Sequence, residues 1–155
     1  MFSWLNYLRG HIMVTATNIL YSVSAVRRLL GLGDRIAVKI REFGWVVWVW
    51  IQGKRPTFIS KKAFKQHFVD KRRAAARGLV VTRNAYQSCS YSVRNEAKDS
   101  SYKVILGATA IACECDDYKN QTEFFGRGCC KHGYAVLHQI GFNSLKDYIN
   151  NACKN

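Results

Sequence analysis

The sequence predicts an α+β protein in two regions. Residues 1–83 form a basic, Trp-rich part, with N-terminal helices, a small β-meander and a basic helix; residues 84–155 form a β-β-α unit around a metal site. Three observations carry this prediction. Apolar residues alternate with polar ones from Arg35 to Arg41 and then run together from Trp45 to Ile51. A cation-rich stretch from Lys61 to Arg77 has helical spacing, and three cysteines crowd one histidine between Cys113 and His132.

In chain order, Ile19, Val23, Val26, Leu29 and Leu30 recur at helical spacing between Thr15 and Leu32. Ser24 offers a cap and Gly31 and Gly33 offer stops, so one or two short helices are expected. Ile36, Val38 and Ile40 then mark one face of a half-buried strand. After Gly44 comes WVVWVWI, a β-rich run apolar on both faces, and QGKRP turns the chain into a third strand at Thr57. The rings of Trp45, Trp48 and Trp50 are able to stack nucleobases, but a strand this apolar places them in the core.

Ser60 is the expected N-cap of the basic helix, which Gly78 ends. Phe64 and Phe68 lie one turn apart and are expected to dock on the sheet, with Ala75 extending their face. Lys61, Lys62, Lys65, Lys71, Arg72, Arg73 and Arg77 cover the remainder, while His67 is expected as a satisfied boundary residue. Beyond Gly78, LVVT and the alternation through Tyr86, Tyr91 and Val93 predict strand, and NEAKDSS turns the chain back into YKVIL. Gly107 allows a bend, and AIACEC reads as a strand ending at the cysteines. Tyr134, Val136, Leu137 and Ile140 give a helix that Gly141 ends, and Ser144 with Asp147 signals the cap of a last short helix.

The formal net charge of +14 is uneven. Residues 54–83 hold ten Lys/Arg against one Asp/Glu, whereas residues 1–53 hold six against two and residues 84–155 hold eight against seven. An excess gathered in thirty residues points to contact with a polyanion; the plain alternative is a solvated helix face. The four Trp, eight Tyr and eight Phe, with a single Pro, exclude a chain disordered throughout. No secretion signal is evident at the N-terminus, Met13 offers an alternative start, and the longest apolar run is too short to span a bilayer. A cytoplasmic or nucleoid-associated protein without membrane contact is expected, and a reducing compartment favours metal over disulfides.

Cys113 and Cys115 end a strand, where alternate side chains share a face; Cys130 and His132 stand where a helix begins. The fourteen residues between the pairs read as a loop that folds back. Three thiolates and an imidazole complete a tetrahedral Zn2+ site with no open position, which is a structural site. Cys129 precedes Cys130, so Cys129 with His132 is an alternative second pair; Cys89 and Cys153 are expected as free thiols, and His11, His67 and His138 match no metal motif.

The pattern Cys113-x-Cys115, fourteen residues, Cys130-x-His132 resembles the SWIM zinc finger, whose CxC…CxH ligands sit on a β-hairpin followed by a helix. The preceding strands with Tyr91, Val93, Tyr102, Val104 and Leu106, and the helix entry CKHGYAVL, extend the resemblance over about Tyr86 to Ile140. It implies Zn2+ held by Cys113, Cys115, Cys130 and His132, favours Cys130 over Cys129, and implies binding to DNA or protein, as in Mutator-like transposases and recombination partners.

Together these features predict a small zinc-stabilised nucleic-acid-binding protein, with DNA favoured over RNA. Phosphate contacts from Lys61, Lys62, Lys65, Lys71, Arg72, Arg73 and Arg77 would be largely independent of sequence. The alternative is a protein–protein adaptor within a transposition, recombination or other nucleoprotein complex. Catalysis is not expected: the chain has ten acids, its one adjacent pair is Asp116 and Asp117, and a Cys–His nucleophile would borrow residues better used by zinc.

Overall fold

A computed structural model describes residues 19–152. His11, Met13, Cys153 and the start of the predicted N-terminal helix lie outside the described residues. Within them are five α-helices and two small antiparallel sheets, an α+β arrangement. The chain divides into two compact units, Met1–Phe64 and Lys65–Asn155. Its charge pattern, by contrast, changes at 83/84.

In the first unit, helix α1 (Val23–Leu30) starts at Ser22, whose hydroxyl accepts the Ala25 amide hydrogen at 3.1 Å. The cap therefore sits two residues before the expected Ser24. Gly31 ends the helix at φ 63°, a left-handed conformation that glycine adopts without steric penalty. Strands β1 (Val38–Glu42), β2 (Val46–Ile51) and β3 (Thr57–Ser60) follow as an antiparallel sheet with β2 in the centre.

The sheet resolves the ambiguity of the WVVWVWI run by giving it two unlike faces. Val47, Val49 and Ile51 are buried with Ala25, Val26 and Phe64, and Val38, Ile40 and Ile59 pack against them. Trp48 and Trp50 point to the opposite face and are half-buried; Trp45 precedes the strand and is 89% exposed. The tryptophans are thus not the core, contrary to expectation, because the smaller β-branched residues on the other side of β2 take the buried positions.

Helix α2 (Lys61–Ala76) has Ser60 at its start, accepting the Ala63 amide hydrogen at 3.2 Å as expected. Phe64 is among the most deeply buried side chains, and its ring meets Tyr21 edge-on at 5.6 Å. Phe68 does not share that core: its ring packs edge-on to Phe125 at 6.3 Å within the second unit. Ala76 rather than Ala75 is the buried alanine at the end of the helix.

The second unit is a four-stranded meander in sequence order: β4 (Val80–Arg83), β5 (Ser90–Asn95), β6 (Ser100–Leu106) and β7 (Ile111–Cys113). Tyr86, expected in the alternation, lies in the β4–β5 turn and is exposed. Gly107 makes the β6–β7 bend by donating to the Ala110 carbonyl at 2.8 Å, and an added Cβ there would come within 3.1 Å of that oxygen. Register sets Tyr91 opposite Val104 and Val104 opposite Cys113, so all three lie in one row on the buried face. Helix α4 (Lys131–Gln139) crosses this face and touches all four strands through Ala135, Val136 and Leu137, while α3 (Asp116–Phe125) and α5 (Leu145–Ala152) flank it. Ser144 caps α5 by accepting the Asp147 amide hydrogen at 3.0 Å.

The contrast in burial between Phe64 and Trp45 gives an immediate test by chemical denaturation. Phe64→Ala leaves a cavity in the first core and is expected to cost about 3–5 kcal/mol. Trp45→Ala removes a larger but solvent-facing ring and is expected to stay within about 0.5 kcal/mol of the parent. Equal losses in the two variants would refute the contrast between a buried Phe64 and an exposed Trp45.

Candidate metal centre

The centre is assembled where three elements end or begin. Cys113 is the last residue of β7, Cys115 is the N-cap of α3, and Cys130 is the N-cap of α4, with His132 in that helix's first turn. Each capping sulfur accepts a backbone amide hydrogen, Cys115 from Tyr118 at 3.4 Å and Cys130 from Gly133 at 3.5 Å. Helix N-termini favour negative charge, so two of the three sulfurs occupy positions that stabilise thiolate.

All four side chains are buried, and their ligand atoms lie within 4.8 Å of one another, so the group is able to hold a metal ion. His132 Nδ1 stands 3.7 Å from both Cys113 Sγ and Cys130 Sγ. A tetrahedral ion with metal–sulfur arms of about 2.3 Å has edges of roughly 3.8 Å, close to these two spacings. His132 Nε2 is buried without a partner, and the ring is steadied by Tyr102, whose centroid lies 4.6 Å away. The neutral tautomer that leaves Nδ1 open to a metal puts its proton on this Nε2.

The thiols also point to a cation electrostatically. Hydrogen bonds from Cys113 and Cys130 hold the Cys115 thiol far below the ordinary range. Its hydrogen bond to Cys115 raises Cys113 to about 11, and bonds to Cys113 and Cys115 push Cys130 higher still. Three thiolates in one dry pocket repel one another, and a cation among them relieves that repulsion.

The structure brings together the four ligands predicted from sequence and leaves Cys129 out of the cluster. Cys129 turns its sulfur against the first turn of α4, where a Cβ on Gly133 would meet it at 3.0 Å. Burial raises this thiol to about 12. Cys89 is an exposed free cysteine.

The expected fourteen-residue loop between the ligand pairs contains helix α3 instead. Asp116 and Asp117 sit in its first turn, where carboxylates favour the helix dipole, and Gly126 ends it at φ 71°. From α3 the buried Gln121 reaches across to the second pair. Its Oε1 accepts the Cys129 amide hydrogen at 3.1 Å, and its Nε2 donates to the Cys129 carbonyl at 3.4 Å and to Asp117 Oδ2 at 3.1 Å. Gly128 is required there, since a Cβ would fall 2.5 Å from Gln121 Cβ. Asp117 is in turn held by Arg72 through two bonds, Nε to Oδ2 at 2.9 Å and Nη2 to Oδ1 at 2.5 Å.

That pairing changes the reading of the basic helix. Arg72 also stacks on Phe68 at 3.4 Å, so it supports the metal unit rather than facing solvent. Arg73 donates to the Asn143 carbonyl at 2.8 Å and lies over the Tyr134 ring, and Lys61 pairs with Glu42. Lys62, Lys65, Lys71 and Arg77 are exposed. Arg73 and Arg77 also line a cleft of about 590 Å³ walled by Tyr134, His138 and Phe142. No family model, curated protein or solved structure matches this chain.

Metal analysis is expected to find one ion per chain, lost in Cys113→Ser and retained in Cys89→Ser and Cys129→Ser. Loss from Cys129→Ser with retention in Cys130→Ser would overturn the ligand set. Because ligating sulfurs must be deprotonated, loading is expected to release protons and affinity to rise with pH. Calorimetry in buffers of different ionisation enthalpy measures that release; no proton release would contradict thiolate ligation.

Proposed function

We propose that this chain is a small zinc-stabilised nucleic-acid-binding protein that holds its target, DNA in preference to RNA, through phosphate contacts largely independent of sequence. The observation that carries the nucleic-acid reading is the run of exposed cations along one segment of sequence, Lys54, Arg55, Lys62, Lys65, Lys71 and Arg77, which holds one acid. Backbone phosphates are recognised by such charges without base readout. Preference for DNA is supported by the resemblance of the ligand pattern to the SWIM zinc finger.

Zinc suits the site because three sulfurs and one imidazole are the donor set of closed tetrahedral zinc centres. Bound there by Cys113, Cys115, Cys130 and His132, the ion supplies folding energy, about 10–16 kcal/mol in apparent terms for small structural sites. Four protein ligands leave no position for water or substrate, so the reading assigns no catalysis. The protein's own part is to fix the ligands: Gln121 clamps the backbone of Cys129, and Arg72 fixes Asp117 behind it.

Salt dependence of DNA affinity tests this function. With Arg72 and Lys61 engaged in ion pairs, log affinity is expected to fall against log salt with a slope of roughly −3 to −4 on duplex. Lys62→Ala, Lys65→Ala and Arg77→Ala together are expected to flatten it by about two to three units with the metal retained. Arg72→Ala is expected to act differently, destabilising the second unit by about 1–3 kcal/mol. A triple variant that binds as tightly, with an unchanged slope, would remove α2 from the interface and favour the adaptor role.

A further inference from the structure

The outer face of the first sheet is unlike an ordinary solvated face. Register places Trp48 between Arg41 on β1 and Phe58 on β3, with Lys39 beside Trp50 in the next row. Phe58 is 62% exposed and Phe43 45%, and Trp48 and Trp50 keep part of their rings in solvent. Phe43 and Phe58 meet at 6.2 Å, closing the row of rings at one end. Lys39 Nζ lies 5.5 Å from the Trp50 ring, and Arg41 Cζ lies 5.7 Å from the Phe43 ring. By register, the charged residues of the sheet on this face are Lys39 and Arg41, both exposed, while Glu42 falls on the other side.

A sheet that needed only a core would bury its largest rings, yet here the valines are inside and the tryptophans outside. Flat rings on β2 and β3 with two cations along the β1 side suit a ligand that carries flat rings to one side of a line of anions. A lipid surface would match less closely, because the cations stand along one side of the rings, as a single phosphate backbone would need, rather than around the whole patch. Duplex DNA offers phosphates but no open base faces to such a surface, whereas an unpaired strand offers both.

We propose that this face binds single-stranded nucleic acid, with bases stacked on Trp48, Trp50 and Phe58 and the backbone phosphates against Lys39 and Arg41. The inference rests on the nucleic-acid reading above and adds to it a second surface and a strandedness. Stacking accepts any base, in keeping with contacts that do not read sequence.

The test titrates full-length, metal-loaded protein with single-stranded DNA and RNA of about ten nucleotides, with the corresponding duplex and with phosphatidylglycerol vesicles, following tryptophan fluorescence and anisotropy of labelled strands. Quenching by the single strands is expected, the DNA and RNA arms showing which sugar is preferred. Phe58→Leu and Trp48→Leu retain apolar bulk without a stacking plane, and each is expected to weaken single-strand binding roughly 5- to 150-fold while duplex affinity holds. Phe58→Tyr and Trp48→Phe are expected to restore it. Single-strand affinity unchanged in both Leu variants but lost in the Lys62, Lys65 and Arg77 triple variant would overturn this surface and leave the nucleic-acid reading standing. No binding to any nucleic acid would overturn both, and vesicle binding lost in the Leu variants would assign the face to a lipid surface instead.

Discussion

Much of the second unit depends on one constraint: three sulfurs and an imidazole converge on a point from which water is excluded. Such a group is unfavourable without a cation, because like charges in a dry pocket cannot all be present together. The fold answers by bringing the ends of three elements to the same place. A strand end supplies one sulfur, and two helix N-termini supply the others together with amide hydrogens for them. The arrangement of β7, α3 and α4 is therefore also an arrangement of charge.

How much of this was legible in the sequence varied with the range of the signal. The gathering of Cys113, Cys115, Cys130 and His132 was legible because CxC on a strand and CxH at a helix start are local patterns, each fixing where its atoms point. The sheets were legible from alternation, and Ser60 and Ser144 from their positions before helical runs. Helix α3 was passed over although Asp116, Asp117 and Gly126 are start and stop signals, because the metal pattern made its segment read as a connector. The bonds from Arg72 to Asp117 join residues 45 apart in sequence, a pairing that no local pattern encodes.

The basic helix shows why residue type alone is a poor guide to role. Arg72 and Arg77 have the same chemistry five positions apart, yet one is locked to a carboxylate and an aromatic ring while the other opens on a cleft. What separates them is the helix face each occupies and what packs there. Likewise the run from Trp45 to Ile51 is apolar throughout, and only the pairing of β2 with its neighbours decides that the valines go inside. Hydrophobicity set that this segment is a strand; side-chain volume and register set which side of it is core.

Strand β7 has a further consequence. It is an edge of the second sheet, and edges expose unpaired backbone groups on which another chain can add a strand. Here that edge is three residues long, because Cys113 ends it by turning into the metal centre and the chain then leaves as a helix. The cysteine that joins the candidate site also cuts short the template for intermolecular sheet growth, so one residue contributes both to the cohesion of the fold and to its resistance to aggregation.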